Sequence, residues 1–194
     1  MENKDKSLII IISAPSGSGK TTIVNELLRS MKNLELSISY TTRKQRGQEQ
    51  ENQEYFFISE EEFKKKIQNN EFIEWEENFG FYYGTSKIYI QEILNRNKDV
   101  ILSIDVKGAR KIRKIFPYSI SIFIQVPSIE ELKNRLKKRG TDDKDNLKLR
   151  IKEYERELKA AYEYEYIVEN KYLDKAVKEV ELIIKKERKK GRKI

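Results

Sequence analysis

Apolar and polar positions along this chain form alternating blocks that predict strands and helices in turn. Residues 8–12 (LIIII) are an unbroken aliphatic run, which predicts a strand buried on both faces. A short Gly/Ser segment then leads into an amphipathic helix that carries Ile23, Leu27 and Leu28 on one side. Later strands are predicted at 100–104, 119–126 and 166–168, and later helices at 88–95, 107–116 and 173–184. Strands that alternate with helices predict an α/β fold, with a parallel sheet flanked by helices.

One stretch of the chain departs from this alternation and carries more strand. Its predicted elements are strands at 36–40, 55–58, 72–77 and 79–83 and a helix at 59–69. Ser59 and Glu62 form the sequence signature of a capping box at the start of that helix. We therefore predict an inserted mixed α/β lobe at 38–86, carried by a core of residues 1–37 and 87–194.

A polar break interrupts the helical pattern near residue 140. Before it, Ser128 caps a helix with Ile129, Leu132 and Leu136 on one stripe. After the break, GTDDKD, a long helix follows with apolar residues at spacings of four and three. We predict a helical lid at about 139–150.

The most informative motif is LIIIISAPSGSGKTT, which predicts a strand, a phosphate-binding loop and the start of a helix. Gly17 and Gly19 let backbone N–H groups turn inward, and the positive end of the helix favours an anion. Lys20 would reach the β- and γ-phosphates of a triphosphate, and the Thr21 hydroxyl would bind Mg²⁺. The residues expected to bind ATP here are Ala14, Pro15, Ser16, Gly17, Ser18, Gly19, Lys20, Thr21 and Thr22. The usual pattern has Gly at the position of Ala14.

Composition narrows the chemistry that the chain can perform. The 194 residues suffice for one domain with lobes. The absence of Cys excludes disulfides and thiol nucleophiles, and the absence of His excludes Ser-His-Asp triads and His general bases. Phosphoryl transfer remains, since it depends mainly on positioning and charge stabilisation. Without His, we expect substrate phosphates to dominate the pH dependence between about pH 6 and 8.

Charge and the first residues bear on location and partners. MENKDK is polar and precedes only five aliphatics, which predicts neither a signal peptide nor a membrane span, so we expect a cytoplasmic protein. The net charge is +8, of which residues 185–194 carry +6. Because the remainder carries only +2, nucleic acid is not an expected partner. The basic end is expected to be a solvated helix end, with contact to nucleic acid or an anionic surface as the alternative.

A second group of residues could hold another phosphate. Arg43 and Arg46 lie three residues apart, and Tyr55 follows twelve residues after Arg43. Two guanidiniums and a phenol can hold a phosphate monoester, because Arg presents a planar fork to phosphate oxygens. Composition alone leaves a solvated basic loop as the alternative. Asp105 ends a predicted strand, where it is either a metal-site acid or a structural strand end.

The segments SISYTTRKQR, FIEW, YYGT, SIDVKGA and RLKKRGT follow APSGSGKTT in this order. Together they resemble guanylate kinase, from residue 9 to about residue 170. The resemblance implies a P-loop NTPase-type fold with a GMP-binding lobe, and transfer of the γ-phosphoryl group of Mg·ATP to GMP. It implies small-molecule partners, ATP and GMP, with Mg²⁺ as the cofactor. No membrane partner is expected from the sequence, which leaves the oligomeric state open between monomer and homodimer.

The resemblance also assigns residues to the acceptor. The residues implied to bind GMP are Ser39, Arg43, Arg46, Tyr55, Glu74, Tyr83, Thr85 and Asp105. Of these, Arg43, Arg46, Tyr55 and Tyr83 would hold the phosphate, and Ser39, Glu74 and Thr85 would contact the base. Glu74 can accept from N1–H and the 2-amino group of guanine together, whereas adenine would leave this carboxylate unpaired. The alternative for Glu74 is a polar residue on the exposed face of a strand.

On the donor side, the resemblance makes Arg139 and Arg150 lid arginines that balance charge on the ATP phosphates. With Lys20 and Arg43 they form the implied catalytic set. Asn170 is implied to lie near the adenine, and Thr21 and Asp105 to hold the metal. Arg135 is a weaker donor-side candidate, whose alternative is a cation on a helix surface. Ser103 stands where family members commonly have a second Asp, which alters the polar contacts expected there.

Two other functions remain open from the sequence. Guanylate-kinase-like domains also occur as protein-binding modules without catalysis, although such a module is expected to have lost Lys20, Thr21, Arg139 and Arg150, which are all present here. A P-loop kinase that acts on another monophosphate or on a sugar phosphate is the second alternative. Glu74 is the residue that distinguishes a GMP kinase from such a kinase.

Overall fold

The computed structural model describes residues 7–45, 55–78, 80–139 and 144–191, with backbone alone at 138, 139 and 144–148. The strands are β1 (Ile9–Ser13), β2 (Leu34–Leu36), β3 (Ser39–Thr41), β4 (Tyr55–Phe57), β5 (Phe72–Asn78), β6 (Phe81–Ser86), β7 (Asp99–Ser103), β8 (Ile120–Gln125) and β9 (Tyr166–Glu169). The helices are α1 (Lys20–Ser30), α2 (Glu60–Gln68), α3 (Lys87–Asn95), α4 (Val106–Ile115), α5 (Ile129–Arg139), α6 (Lys144–Leu158) and α7 (Leu173–Lys189), with a 3₁₀ turn at Ala161–Glu163.

The core of the fold is a five-stranded parallel sheet in the order β2-β7-β1-β8-β9. Strand β1 lies in its centre, between β7 and β8, and all five of its residues are buried. Because successive side chains of a strand point to opposite faces, β1 serves two cores. Ile10 and Ile12 pack in the cluster that contains residues of α1 and α7. Ile9 and Ile11 pack in the cluster that contains residues of α3 and α4. This is the parallel sheet flanked by helices that the sequence predicts.

A second, four-stranded sheet has the order β4-β3-β6-β5. Strands β3 and β4 are parallel, whereas β3–β6 and β5–β6 are antiparallel. Its strands fall within residues 39–86, inside the range of the predicted lobe. The mixed sheet agrees with the predicted pattern, and the exact division into core, lobe and lid stays a prediction.

Helix α2 packs on the mixed sheet mainly through a buried aromatic side chain. Phe63 is fully buried, and its ring stacks on Phe72 at 4.5 Å and on Tyr82 at 5.4 Å between centroids. The predicted capping box is confirmed: Ser59 Oγ accepts from Glu62 N–H, and the Glu62 carboxylate accepts from Ser59 N–H. These contacts fix α2 against the strands that carry the candidate acceptor site.

One predicted strand is wrong. Residues 36–40 do not form a single strand, because Leu36 ends β2 in the parallel sheet and Ser39 begins β3 in the mixed sheet. Ser37 N–H still donates to Ile101 O at 2.9 Å, so the chain leaves the first sheet only after Ser37. The two ends of this segment thus belong to different sheets, although its pattern of apolar residues has no break. The predicted loop at 45–54 lies mostly outside the described residues.

The end of α7 is tied to the beginning of β1 and β7. Asp99 is 1% exposed, its Oδ1 accepts from Leu8 N–H at 2.8 Å, and its other oxygen pairs with Arg188. Glu187 is fully buried and accepts from Tyr166 Oη at 2.6 Å. The prediction of a solvated basic end is therefore wrong for Glu187 and Arg188. Within the described residues, no helix has the length and apolar character needed to cross a bilayer.

Candidate active site

The loop after β1 has the geometry of a phosphate-binding loop. Gly17 and Gly19 have φ of 86° and 88°, a region that favours glycine, and Gly19 is the N-cap of α1. Ser18 N–H donates to Pro15 O at 3.1 Å, which closes a turn. The Ala14 side chain is 8% exposed and packs in the cluster of β1 and α1. Alanine at this position therefore packs in the core. The two glycines with positive φ keep the loop backbone in a conformation that suits anion binding.

Lys20 lies at the start of α1 and reaches across to the end of β7. Its Nζ donates to Ile104 O at 3.0 Å. Burial lowers the pKa of Lys20, and the nearby carboxylates of Asp105 and Glu157 oppose that shift. Thr21 and Thr22, on the same first turn, are exposed. A half-buried ammonium beside an open helix N-terminus is suited to a polyanion.

Asn170 supports the phosphate loop from the end of β9. Its side chain is 4% exposed and donates to Ser18 O at 2.8 Å. A Cβ at Gly19 would lie 2.4 Å from Asn170 Nδ2, so glycine is required there by space as well as by φ. Arg135 donates to Asn170 O at 2.8 Å and to Glu131 at 2.7 Å, which makes it more than a solvated cation. The geometry thus points Asn170 at the loop backbone, while its predicted place near the adenine remains untested.

Helix α6 brings two charged side chains to this loop. Arg150 donates to Ser16 Oγ at 2.7 Å. Glu157 lies seven residues later, two turns along the same helix face, and interacts electrostatically with Lys20 and Asp105. Burial raises the pKa of Glu157 to about 7, with Lys20 opposing the shift. Sequence analysis missed Glu157; its spacing from Arg150 was the available signal.

A second group of side chains comes together on the mixed sheet. Arg43 is 5% exposed, and its guanidinium lies 5.0 Å from the ring centroid of Tyr55 and 5.5 Å from that of Phe57. The rings of Tyr55 and Tyr83 are 5.9 Å apart. Arg43 Nη1 also donates to Lys44 O at 2.9 Å. The alternative of a solvated loop is therefore wrong for Arg43, since its buried guanidinium lies against the rings of Tyr55 and Phe57.

Glu74 and Thr85 form a buried pair opposite each other on β5 and β6. Glu74 is 6% exposed, Thr85 is fully buried, and Thr85 Oγ1 donates to Glu74 Oε1. Burial raises the pKa of Glu74 to about 7, the hydrogen bond from Thr85 opposes this, and Asp105 adds to it. The alternative of an exposed strand residue is wrong for Glu74. Tyr83 and Thr85 are two residues apart and share one face of β6.

Asp105 stands between the phosphate loop and the mixed sheet. Its Oδ1 accepts from Gly108 N–H at 2.8 Å, which caps α4, and its Oδ2 accepts from the Asn78 amide. Both oxygens therefore have protein partners, so Asp105 has a structural role at the start of α4, and its role at a metal stays a prediction. Asn78, which sequence analysis did not single out, joins β5 to the start of α4.

Three further predicted site residues have few or no described side-chain contacts. Ser39 begins β3 and is half-buried. Arg139 is the last residue of α5, and its side chain lies outside the description; Arg46 lies wholly outside the described residues. The described part of the chain contains no group of three or more acidic side chains that could hold a metal ion without other ligands.

The raised pKa values of Glu74 and Glu157 correct one prediction. Both carboxyl groups titrate near pH 7, because burial disfavours their charged forms. Substrate phosphates are therefore not the only groups that titrate between about pH 6 and 8. The absence of His did not exclude this, since the shift comes from packing.

Comparisons with known proteins identify relatives that match almost the whole chain. A family model described as guanylate kinase matches residues 6–187. The guanylate kinase of Caldanaerobacter subterraneus subsp. tengcongensis is 45% identical over 184 residues, covering 95% of this chain and 89% of that protein. The guanylate kinase of Rickettsia prowazekii is 43% identical over 191 residues, covering 98% and 97%.

Solved structures give the same result. A crystal structure of guanylate kinase from Anaplasma phagocytophilum matches with a TM-score of 0.78 and 29% identity, covering 95% of this chain and 87% of that one. A shikimate kinase from Bacteroides thetaiotaomicron matches with a TM-score of 0.52 and 15% identity, covering 92% and 98%, which is a likeness of fold alone. With its phosphate loop, buried Glu74–Thr85 pair and full-length relatives, this chain belongs to the guanylate kinase family.

Proposed function

We infer that this chain is an ATP-dependent guanylate kinase, which transfers the γ-phosphoryl group of ATP to GMP and releases ADP and GDP. The structural support for this conclusion comes from the surroundings of one residue, Asp105. Asp105 interacts electrostatically both with Lys20 of the phosphate loop and with Glu74 of the mixed sheet. This shared neighbour supports the proposal that the phosphate loop and the mixed sheet contribute to one site.

On the donor side, we propose that the loop of residues 14–19 and the first turn of α1 bind the ATP phosphates. The positive φ of Gly17 and Gly19 and the half-buried Lys20 ammonium support this. Arg150 already contacts the loop at Ser16, so its guanidinium can reach phosphate oxygens there. Arg139 is proposed to join it, and these cations would balance charge as the phosphoryl group moves.

On the acceptor side, we propose that Arg43, Tyr55 and Tyr83 hold the GMP phosphate, together with Arg46. The contact of the Arg43 guanidinium with the Tyr55 ring supports this arrangement. Glu74 is proposed to accept from the N1–H and 2-amino donors of guanine. Ser39 and Thr85 supply the neighbouring hydroxyls. Adenine has no 2-amino group, so it would leave a buried carboxylate unmatched.

We propose Mg²⁺ as the metal. The donor chemistry fits, because the exposed Thr21 hydroxyl lies beside the loop, and Mg²⁺ usually takes few protein oxygens together with phosphates and water. Asp105 would act through water, since its two oxygens already accept hydrogen bonds. When bound, Mg²⁺ would neutralise charge on the transferring phosphates.

We propose in-line transfer without a covalent intermediate and without a protein general base. The acceptor is a phosphate monoester that is already largely ionised near neutral pH, so no proton need be removed by a side chain. The protein's contribution is to hold both substrates in line and to exclude water, which suppresses hydrolysis of ATP. A cytoplasmic location remains part of this proposal, as predicted from the sequence.

The acceptor specificity tests the proposal directly. Purified protein is given Mg·ATP with GMP, AMP, UMP, CMP or dTMP separately, and ADP formation is measured. We expect turnover with GMP far above the other four. Turnover with a different acceptor would overturn the assignment of Glu74. Folded protein that binds GMP and turns over none of them would instead favour a non-catalytic binding module.

A further inference from the structure

Gly108 occupies a helix position where glycine has no conformational advantage. It lies in the first turn of α4, is buried, and donates its N–H to Asp105 Oδ1 at 2.8 Å. Its backbone is helical, and it is not one of the described glycines with positive φ. Alanine would be the better helix former at such a position. The reason for glycine must therefore lie in the space around it.

That space is filled by the carboxylate of Glu74. A Cβ built on Gly108 would lie 2.7 Å from Glu74 Oε2, 3.2 Å from Glu74 Cδ and 3.4 Å from Asp105 Oδ1. Carbon does not approach oxygen as closely as 2.7 Å without displacing it. Even one methyl group at this position would therefore force the carboxylate to move.

The carboxylate has little freedom to move away. Thr85 Oγ1 donates to Glu74 Oε1 from the opposite strand, and Glu74 lies directly across from Thr85 in the register of β5 and β6. The side chain is almost wholly buried between β6 and α4. A shift of Oε2 would rotate the whole carboxylate and disturb the hydrogen bond to Oε1.

We propose that Gly108 is a positioning residue for guanine specificity. By having no side chain, it lets the Glu74 carboxylate lie against the backbone of α4, in the one orientation that presents two acceptors side by side to the N1–H and 2-amino donors of guanine. This inference rests on the proposed function, because it assigns to Gly108 the placement of the residue that reads the base. It also gives a role to the glycine of the SIDVKGA segment, in addition to the one that Asp105 has.

The test is the variant Gly108→Ala, measured with GMP and with ATP. We expect the KM for GMP to rise roughly 10- to 100-fold, the effect of losing one hydrogen bond to a charged acceptor. The KM for ATP should stay unchanged, and the preference for GMP over AMP should fall. The thermal midpoint should fall only modestly, because the helix preference of alanine offsets part of the strain of displacing the carboxylate. A matched control is Lys114→Ala, on an exposed position of the same helix, which should leave all four quantities unchanged.

A double-mutant cycle separates positioning from a general defect. Glu74→Asp alone should weaken GMP binding, because its shorter side chain withdraws the carboxylate. In the Gly108→Ala background, the same change relieves the contact with the new methyl group, so its additional cost should be much smaller. Effects of the two changes that simply multiply would overturn the inference, as would an unchanged KM for GMP in Gly108→Ala.

The outcomes also distinguish this inference from the proposed function. Equal rises in the KM for GMP and for ATP, with a large fall in the thermal midpoint, would show that Gly108 supports the fold and would overturn the positioning role. Wild-type protein that turns over GMP while Gly108→Ala behaves identically would overturn this inference alone. Absence of GMP turnover in the wild type would overturn the proposed function, and this inference with it.

Discussion

Glu74 concentrates the chemistry of this molecule in a single side chain. It is buried, opposite Thr85, beside Gly108 and within the electrostatic influence of Asp105. A charged carboxylate in such surroundings must accept hydrogen bonds, because otherwise its burial away from water costs free energy. Guanine offers two neighbouring donors, N1–H and the 2-amino group, and the proposed function requires that Glu74 accept from both.

We predict that Glu74→Gln lowers kcat/KM for GMP by roughly 10²- to 10⁴-fold, because an amide N–H₂ then faces the donors of the base. The affinity for ATP should be nearly unchanged, since Lys20 and the phosphate loop are untouched. Steady-state kinetics with each substrate varied would measure both effects. Glu77→Gln, an exposed change on the same strand, is the control. Equal losses for GMP and ATP would show that Glu74 serves the fold.

The pKa of Glu74 predicts a pH dependence of stability. In the unfolded chain this carboxyl titrates near 4.5, and in the folded chain near 7. Between these values the folded state holds an extra proton, so the contribution of Glu74 to the free energy of unfolding is full below about pH 4.5 and is lost as the pH rises through about 7. Glu157 acts in the same direction.

Glu74→Gln removes this contribution. We therefore expect the difference in unfolding free energy, variant minus wild type, to increase from pH 5 to pH 8. Urea denaturation at several pH values would measure it, with Glu60→Gln on the exposed side of α2 as the control. Parallel pH profiles of the variant and the wild type would contradict the burial of a proton on Glu74.

At the scale of single residues, the sequence predicts candidate side chains better than it predicts their contacts. Lys20 was predicted from the motif that contains it and Arg43 from its spacing to Arg46 and Tyr55, whereas the role predicted for Glu74 came from the resemblance to guanylate kinase. Glu157 and the contact of Gly108 with Glu74 were not found, since each depends on which helix packs against which strand. The distance between β5 and α4 is a property of the folded chain and leaves no periodic signal.

At the scale of elements, the mixed sheet depends on helix α2. Phe63 is the fully buried side chain through which α2 packs on Phe72 and Tyr82. It belongs to none of the clusters that surround the parallel sheet. Local stability of the acceptor side should therefore respond to changes at Phe63 that the donor side does not feel.

We predict that Phe63→Ala destabilises the mixed sheet by about 3–5 kcal/mol, the usual cost of removing a buried Phe. Amide hydrogen exchange should accelerate at 55–86, while β1 and β7 keep their protection. The KM for GMP should rise and that for ATP should not. Phe63→Leu, which keeps most of the volume, is the milder control. Exchange that accelerates uniformly over both sheets would contradict the separate stability of the mixed sheet.

The elements show where sequence patterns stop being informative. The capping box at Ser59 and the strand at 55–58 were predicted because local chemistry decides them. The split between β2 and β3 was missed because residues 36–40 contain no Gly or Pro to mark a boundary. Which of two sheets each half joins is decided by long-range partners, Ile101 O for Ser37 and the strands β4 and β6 for β3.

At the scale of the whole molecule, Asp99 and Arg188 connect the last helix to the central sheet. Asp99 also holds the N–H of Leu8, just before β1. Arg188 is partly exposed, at 29%, whereas Asp99 is buried. Loss of the guanidinium would leave a buried carboxylate with one partner fewer, which costs more than the loss of a surface pair.

We predict that Arg188→Ala lowers the free energy of unfolding by about 1–3 kcal/mol, between the values for exposed and buried pairs. Asp99→Asn combined with Arg188→Met should recover part of this loss, because no unpaired charge then remains. Chemical denaturation of the single and double variants would measure the effect. Arg188→Ala with wild-type stability would show that the pair contributes nothing.

The order of strands in the parallel sheet has a consequence for synthesis of the chain. The neighbours of β1 are β7 and β8, which begin at Asp99 and Ile120. At about 5–20 residues per second, a ribosome delivers them roughly 5–20 s after β1. During that time five consecutive apolar residues have no partner strand, so the nascent chain is most prone to aggregation before β8 emerges. Arrested nascent chains that end before β8 should accordingly be cut by protease near β1, whereas released chains should resist. The nucleotide-binding loop would therefore become functional only after β8, which lies far later in the chain, has been made.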